Sequence, residues 1–320
     1  MSYYTRLSRS FEGALKLPLT ERSKYVLISD CHRGTGTSND NFLKNQNLYF
    51  AALTHYYKTG YTYIELGDGD ELWENRRMEQ IAETHSNVFW LMNLFREQNR
   101  LYLLYGNHDM IKKNSRRTSK SCHIYRRCSD ESSEREKQPL FPGMTYYSGI
   151  ILEAPVSQAG SLPHSRINTA FLSPADNNRM LPRDIYLTHG HQTDLFNSTL
   201  WRISRFLVRY LWKPLERFGV LDPTSAAKNY TRKHKAEQRL HHWAEQENHI
   251  LITGHTHRPA LSEKDIYYYN SGSCVHPRCI TCLEIEHRKI CLVKWTLNTR
   301  PDMSLYVARE ILAGPLWIYR

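Results

Sequence analysis

The sequence predicts an α/β fold built around a largely parallel sheet. Short runs rich in β-branched and aromatic residues, such as "YVLISD" (25–30) and "YTYIEL" (61–66), are typical of buried strands. Segments of about 30 residues with helical periodicity separate the first three such runs, and strand, helix, strand at this spacing is a βαβ unit. The 320 residues, 40% hydrophobic and 23% charged, are enough for one large α/β domain or two small ones.

Five predicted strands each end in a polar cluster. "YVLISD" runs into "CHRG", "YTYIEL" into "GDGD", "RLYLLY" into "GNHD", "DIYLT" into "HGH" and "HILIT" into "GHTH". A parallel sheet binds its ligands in the crevice outside the carboxyl ends of its strands. We therefore expect the five clusters to converge on one site.

Helices and a second sheet complete the predicted fold. The stretches "NFLKNQNLYFAALTHYY" and "MEQIAETHSNVFWLMNLFREQ" have the apolar spacing of helices. Towards the C-terminus, "DIYYYNSGS" and "CITCLEIEHRKICLVKWTL" predict antiparallel strands of the second sheet, with "EHRK" as a turn. Cys279 and Cys282 lie within one of these strands, and without a second pair at zinc-site spacing they indicate strand packing.

Two stretches interrupt this pattern. Residues 111–145 are polar and blockwise charged, which predicts an exposed loop insertion. Residues 195–247 have the pattern of helices inserted between two core strands. We expect a single domain over residues 1–320 that carries both insertions.

Charge and cysteine content narrow the partners and the compartment. A net charge of +11 favours anionic partners such as phosphates, nucleic acid or an acidic membrane surface. Seven scattered cysteines do not form a disulfide framework, which predicts a reducing, cytoplasmic environment. Because no signal-like segment and no run of roughly 20 apolar residues is present, we expect at most a peripheral contact with a membrane.

The polar clusters together predict a metal centre. Buried charged groups are costly unless they are paired or bound to metal. Aspartate oxygens, imidazoles and one carboxamide suit Mn²⁺, Fe²⁺ or Zn²⁺ better than Ca²⁺ or Mg²⁺. The candidate ligands exceed the needs of one tetrahedral site, so two adjacent ions are expected.

Five motifs follow one another within roughly residues 24–300: "SDCHRG", "GDGDE", "YGNHDM", "THGH" and "TGHTHRPA". In this order they resemble the motifs of the calcineurin-like metallophosphoesterase superfamily. The resemblance implies a four-layer αββα sandwich of two mixed β-sheets flanked by helices. It also implies two metal ions bridged by Asp68. One ion would be held by Asp30, His32, Asp68 and His257, and the other by Asp68, Asn107, His189 and His255. His191 is the alternative to His189, which we favour because it directly follows the strand "IYLT".

The resemblance also implies a reaction, in which a metal-bridging hydroxide attacks phosphorus in line. His108 would act as general acid, and Asp109 would orient His108 through a hydrogen bond. Arg33, next to His32, is expected to bind a substrate phosphate, with an ordinary surface arginine as the alternative.

The substrate class is suggested by a finer resemblance. The motif "GHTHRPA", together with the lack of the G-D-x-x-D-R-G form of protein phosphatases, is similar to the UDP-2,3-diacylglucosamine pyrophosphatase-like branch. That branch carries a helical lid where this chain has the 195–247 insertion. There, Arg202, Arg205, Arg209 and Lys213 form one stripe on a helix. We expect Arg205 and Arg209 to bind an anionic or lipid-linked substrate, and the alternative is a solvated face of a packed helix.

The predicted activity is therefore hydrolysis of a phosphodiester or pyrophosphate in a small, nucleotide-linked or lipid-linked substrate. A phosphomonoesterase and a nuclease are alternatives on the same fold, although no nucleic-acid-binding module is recognisable. A non-catalytic scaffold is disfavoured, because every ligand position and His108 are filled.

Overall fold

The computed structural model describes residues 1–37, 39–114, 123–126, 136–154, 184–212 and 230–318. The helices in these ranges are α1 (Tyr3–Ser8), α2 (Gln46–Lys58), α3 (Met78–Thr84), α4 (Ser86–Glu97), α5 (Leu195–Ser198), α6 (Trp201–Leu207) and α7 (Tyr230–Glu247). A π-helical segment, Val208–Trp212, continues α6, and short 3₁₀ turns lie at Leu43–Asn45, Met110–Lys113 and His191–Thr193.

The strands are β1 (Leu15–Pro18), β2 (Lys24–Ile28), β3 (Thr62–Glu65), β4 (Leu101–Leu104), β5 (His123–Arg126), β6 (Glu136–Pro139), β7 (Tyr146–Tyr147), β8 (Gly149–Glu153), β9 (Ile185–Thr188), β10 (Ile250–Thr253), β11 (Tyr268–Asn270), β12 (Cys279–Glu286), β13 (Lys289–Thr299) and β14 (Leu305–Trp317).

Two mixed sheets form the centre of the fold. The seven-stranded sheet has the order β14-β13-β12-β2-β3-β4-β7, in which β2, β3, β4 and β7 are parallel and β12 to β14 are antiparallel. The five-stranded sheet has the order β1-β8-β9-β10-β11, in which only β8 and β9 pair antiparallel. This architecture confirms the predicted class of two mixed sheets with flanking helices.

Buried apolar side chains join the two sheets to each other and the helices to the sheets. Leu27 and Ile64 of one sheet share a buried cluster with Leu187 and Ile252 of the other, so the two sheets pack face to face. Helices α2 and α4 cover the outer face of the seven-stranded sheet, while α1 and α7 pack against the five-stranded sheet. All four residues of β10 are buried, as a strand covered on both faces requires.

Several sequence predictions need correction. The helical pattern after Met78 is two helices, because the backbone of His85 leaves helical geometry at φ −109° and ψ 34°, while its ring contacts Asp40 and Gln46. The strand at "DIYYYNSGS" pairs parallel with β10 and not in an antiparallel meander. The β12–β13 hairpin does turn at "EHRK", but it joins the sheet of β2 to β4, while β9 and β10 belong to the other sheet.

The two insertions are described in part. The polar insertion contains the paired strands β5 and β6, whereas residues 115–122 and 127–135 lie outside the described residues. In the helical insertion, α5, α6 and most of α7 are described, and residues 213–229, including Lys213, are not. The division into one domain with a loop and a lid therefore stays a prediction. No helix among the described residues is long and apolar enough to cross a bilayer.

Candidate metal centre

The predicted ligands come from both sheets. Asp30 and His32 follow β2, Asp68 follows β3, and Asn107 follows β4, all in the seven-stranded sheet. His189, His255 and His257 follow β9 and β10 of the five-stranded sheet. The carboxyl ends of the two parallel strand groups thus meet at one edge of the sandwich, which is where the site lies.

Backbone contacts connect the loops of the two sheets. The N–H of His32 donates to the carbonyl of Asp68 at 2.9 Å, and the N–H of His255 donates to Asp30 Oδ2 at 2.9 Å. A Cβ at Gly106 would collide with the Asp68 carboxylate, and one at Gly254 would collide with Asp30. Glycine at these two positions therefore permits the close approach of neighbouring loops.

Five of the seven predicted ligands have left-handed backbone conformations. Their φ angles are 52° for Asp30, 49° for His32, 51° for Asp68, 67° for His255 and 56° for His257. This conformation costs a non-glycine residue roughly 1–3 kcal/mol and persists only where the surrounding structure imposes it. Such strain concentrates at functional sites, and here it turns the side chains towards a common centre.

The first ligand group contains Asp30, His32 and His257. Asp30 Oδ1 lies 3.1 Å from His257 Nε2, and the Nε2 atoms of His32 and His257 are 3.3 Å apart. His32 Nε2 is also 3.8 Å from Asp68 Oδ2. One ligand atom from each of Asp30, His32 and His257 lies within 4.8 Å of the other two, close enough to hold one ion.

The second group contains Asp68, His189 and His255, and Asn107 follows the neighbouring strand. His189 Nε2 is 3.1 Å from Asp68 Oδ2, and the rings of His189 and His255 are 5.1 Å apart. Asp68 Oδ2 therefore contacts histidines of both groups. This position between the groups is the one that a bridging carboxylate requires.

Four of the predicted metal ligands have a buried polar atom without a satisfactory hydrogen bond. Asp30 Oδ1, Asn107 Oδ1, His189 Nε2 and His255 Nε2 are buried and lack a well-aligned hydrogen bond among the described residues, although Asp30 Oδ1 lies 3.1 Å from His257 Nε2 and His189 Nε2 lies 3.1 Å from Asp68 Oδ2. Leaving a polar atom buried without a partner costs about 1–3 kcal/mol. All four atoms are ligand atoms of the predicted set, so the donors fit two divalent cations.

Hydrogen bonds to the opposite ring atoms orient two of the histidines. His189 Nδ1 donates to the carbonyl of Leu66 at 2.9 Å, and His32 Nδ1 donates to Glu71 Oε2 at 2.9 Å. Both bonds leave Nε2 as the atom that faces the centre. Ligating histidines in proteins are usually held in this way.

Glu71, and not Asp109, orients His108. Nδ1 of His108 donates to Glu71 Oε1 at 2.8 Å, and Trp73 stacks on the His108 ring at 4.4 Å. Burial lowers the pKa of His108, but the charges of Glu71 and Asp68 outweigh it and raise that pKa above its ordinary value. The raised pKa favours the protonated ring, which is the form that a general acid requires, and the His108 side chain keeps 24% exposure.

The prediction that Asp109 bonds His108 is wrong. Asp109 Oδ1 accepts a hydrogen bond from the N–H of Gly106 at 2.7 Å, and Oδ2 accepts one from Lys112 at 2.9 Å. Asp109 therefore fixes the loop that carries Asn107 and His108. Glu71 was not among the predicted site residues, although it stands three residues after Asp68 within the motif "GDGDE".

Arg33 also departs from expectation. Its side chain is 1% exposed, donates twice to Glu65 at 2.8 and 2.9 Å, and donates to Asp70 at 2.7 Å. Lys112 bonds the other oxygen of Asp70. The guanidinium is committed to this buried ion network, which leaves it almost no surface for contact with a substrate phosphate.

The two arginines of the helical insertion that were predicted to bind substrate make different contacts with the protein. Arg209 donates to the carbonyls of Trp73 at 2.8 Å, Leu72 at 2.7 Å and Asn75 at 3.2 Å, and its contact with substrate stays a prediction. These bonds tie the insertion to the loop that carries Glu71. Arg205 lies over the Trp201 ring at 4.9 Å, and its contact with substrate stays a prediction.

His191 lies beside the centre. Its ring is 5.5 Å from that of His189 and it is buried, with Nδ1 making no hydrogen bond among the described residues. Burial, followed by the charges of His189 and His255, holds its pKa well below the ordinary value. His191 does not share a ligand group with the residues above, among those the structure describes.

A family model supports the superfamily to which the sequence motifs point. Residues 23–259 match the family model of the calcineurin-like phosphoesterases. No curated protein matches the chain. Among solved structures, Vps29 of Chaetomium thermophilum is similar at 9% identity and a TM-score of 0.34, over 92% of this chain and 97% of that one. A point mutant of a cold-active protein tyrosine phosphatase is similar at 12% identity and a TM-score of 0.39, over 94% of this chain and 82% of that one.

Proposed function

Since this chain belongs to the calcineurin-like phosphoesterase family, we propose that it hydrolyses phosphoesters at a centre of two divalent metal ions. The observation that supports this most directly is the set of four buried ligand atoms without well-aligned hydrogen bonds, grouped around Asp68. Buried polar atoms are ordinarily hydrogen-bonded, and two cations bound among these four atoms would satisfy them.

The candidate ligands divide between two ions. Asp30, His32 and His257 would hold one, with Asp68 shared. His189, His255, Asn107 and Asp68 would hold the other, and this set of donors suits Mn²⁺, Fe²⁺ or Zn²⁺. When bound, such ions supply Lewis-acid stabilisation of a phosphoryl group and lower the pKa of water.

The chain itself supplies the proton for the leaving group. His108 is raised in pKa, partly exposed, and fixed by Glu71 and Trp73 at the edge of the ligand groups. From this position it donates a proton to the departing oxygen. Glu71 keeps the ring oriented and also holds His32, so one carboxylate couples the acid to the metal ligands.

The finer assignment is part of the same proposal. We place the substrate among phosphodiesters and pyrophosphates, nucleotide-linked or lipid-linked, because "GHTHRPA" is similar to the UDP-2,3-diacylglucosamine pyrophosphatase-like branch. Peripheral contact with an acidic membrane is proposed from the exposed Ile203, Phe206 and Tyr210 near Arg202 and Arg205 on the insertion.

The test is hydrolysis of p-nitrophenyl phosphate and bis-p-nitrophenyl phosphate with Mn²⁺, Fe²⁺ or Zn²⁺. Preference for the diester supports the proposal, and preference for the monoester supports the phosphomonoesterase alternative. Asp68→Asn should abolish turnover and reduce the bound metal, whereas Asp302→Asn, at an exposed turn, should change neither. Lack of turnover with every metal in the wild-type protein would refute the proposal.

A further inference from the structure

A large cavity opens beside the candidate metal centre. Its volume is about 950 Å³, within the range of sites for nucleotide-sized ligands. Its walls are α1, the 3₁₀ turn after His108 and Asp109, the 3₁₀ turn after His189, and the segment that joins α5 to α6. The candidate ligands are not in its lining, so the cavity is an additional space next to them.

The lining carries positive charge only. Arg6, Arg9, Lys113 and Arg202 line the cavity, and its described lining includes no aspartate or glutamate. Lys113 lies over the Tyr105 ring at 6.0 Å and Arg202 over the Trp201 ring at 5.7 Å.

The cations of the cavity differ in how firmly they are held. Arg6 is fixed in the wall by hydrogen bonds to the carbonyls of Gln192 and Met1, both at 2.8 Å. Burial, and then the charge of Arg239, lower the pKa of Arg6, as expected in a region of positive potential. Arg9 and Arg202 are exposed, and among the described residues neither is paired with a carboxylate. They are therefore available to an anion.

The cavity lies next to the centre, because the loops that carry the candidate ligands also form part of its wall. Met110 and Lys113 in the wall follow His108 within the same turn, and His191 in the wall is two residues from His189. The His191 ring lies 5.5 Å from the His189 ring and 6.3 Å from the Tyr105 ring. The basic cavity with its aromatic walls is therefore a neighbour of the ligand groups, separated from them by the His191 side chain.

We propose that this cavity binds a second anionic group of the substrate, so that the natural substrate carries at least one phosphate beyond the one that is attacked. This rests on the proposed function, because it takes the metal centre as the place of the first phosphate. Arg9 and Arg202 bind the second group from the C-terminal end of α1 and from α6, and Lys113 adds charge from the turn after His108. Single-phosphate esters are then hydrolysed, but with a higher KM than substrates that also place an anion in the cavity.

The test is calorimetric titration of the Mn²⁺-loaded protein with orthophosphate and with tripolyphosphate, at a fixed concentration of free Mn²⁺. The double variant Arg9→Gln/Arg202→Gln is compared with the wild type and with Arg22→Gln. Arg22 is an exposed arginine before β2, at the end of that strand opposite the ligands, so it controls for loss of charge. Circular dichroism confirms that each variant is folded.

We expect tripolyphosphate to bind the wild type about tenfold or more tightly than orthophosphate, since each charge-assisted contact is worth about a factor of ten. The double variant should lose about tenfold or more for tripolyphosphate and less than about twofold for orthophosphate, the range of an ordinary surface change. Unchanged affinity for tripolyphosphate in the double variant, or an equal loss in Arg22→Gln, would overturn the proposal.

Hydrolysis of bis-p-nitrophenyl phosphate by the wild type separates this proposal from the proposed function. If the wild type hydrolyses bis-p-nitrophenyl phosphate but the double variant binds tripolyphosphate as tightly as the wild type does, only the second anion site is overturned. If the double variant loses affinity for tripolyphosphate but the wild type hydrolyses no bis-p-nitrophenyl phosphate, the anion site is supported and the proposed hydrolase activity is refuted.

Discussion

Replacement of Glu71 by Gln is expected to impair protonation of the leaving group. Glu71 accepts hydrogen bonds from Nδ1 of His108 at 2.8 Å and from Nδ1 of His32 at 2.9 Å. Gln keeps the size of the side chain and removes its charge. Hydrogen bonds to a charged group are worth about 1.5–3 kcal/mol. Because about 1.36 kcal/mol of barrier corresponds to tenfold in rate, kcat should fall about 10- to 100-fold with a poor leaving group.

The assay is hydrolysis of aryl phosphodiesters whose leaving phenols have increasing pKa, with saturating Mn²⁺. General acid catalysis matters more as the leaving group becomes more basic. The ratio of wild-type to Glu71→Gln rates should therefore rise along the series. The bound metal is measured in parallel, because loss of the bond to His32 also weakens metal binding.

Two controls define what would refute this reasoning. Glu12→Gln, at an exposed position, should behave like the wild type. Asp109→Asn should reduce stability without a dependence on the leaving group, because Asp109 bonds Gly106 and Lys112 and not His108. If Glu71→Gln retains its metal and shows a flat ratio across the series, Glu71 does not orient the general acid.

Three further predictions concern stability. Removal of metal by a chelator should lower Tm, and returning Mn²⁺ at about 100 times its Kd should restore about 2.7 kcal/mol; an unchanged Tm in calorimetry would argue against a metal centre. Lys112→Met, which leaves buried Asp109 without a cation and Asp70 with Arg33 alone, should cost about 3–5 kcal/mol in urea unfolding, while exposed Lys58→Met should cost little. Burial opposes ionisation of Asp40, but hydrogen bonds from His85 and the backbone lower its pKa below the ordinary value. The ionised Asp40 therefore contributes its full stabilisation of the folded protein above the pKa of the unfolded state. This contribution is lost as the pH falls through the pKa of the folded state. Asp40→Asn should therefore destabilise the protein at pH 7 by about 1–3 kcal/mol, with a smaller difference below about pH 4, and an equal difference at both pH values would contradict the assignment.

The chemistry of the site could be read from local sequence. Each polar cluster directly follows an apolar run, and the runs at β2, β3, β4, β9 and β10 are strands in the structure. The order of Asp, His and Asn residues along the chain also carries the family resemblance, which the match over residues 23–259 supports. Strand propensity and motif order are properties of short segments, so they survive without knowledge of the fold.

The partners of these residues could not be predicted in the same way. Arg33 follows a candidate ligand and was expected at the substrate, yet it is buried against Glu65, which is 32 residues away in sequence. Asp109 is the neighbour of His108, but its carboxylate faces Gly106 and Lys112. Sequence adjacency does not fix the direction of a side chain, particularly where the flanking ligands adopt left-handed backbone conformations.

The sequence by itself determined the strands that carry the candidate ligands and the residue types that they present. Only the tertiary structure decided that these strands belong to two different sheets and that Asp68 lies between the two ligand groups. It also decided that Glu71 holds both His32 and His108. The physical reason is that strand formation depends on local apolar pattern, whereas sheet membership, burial and hydrogen-bond partners depend on contacts between segments far apart in the chain.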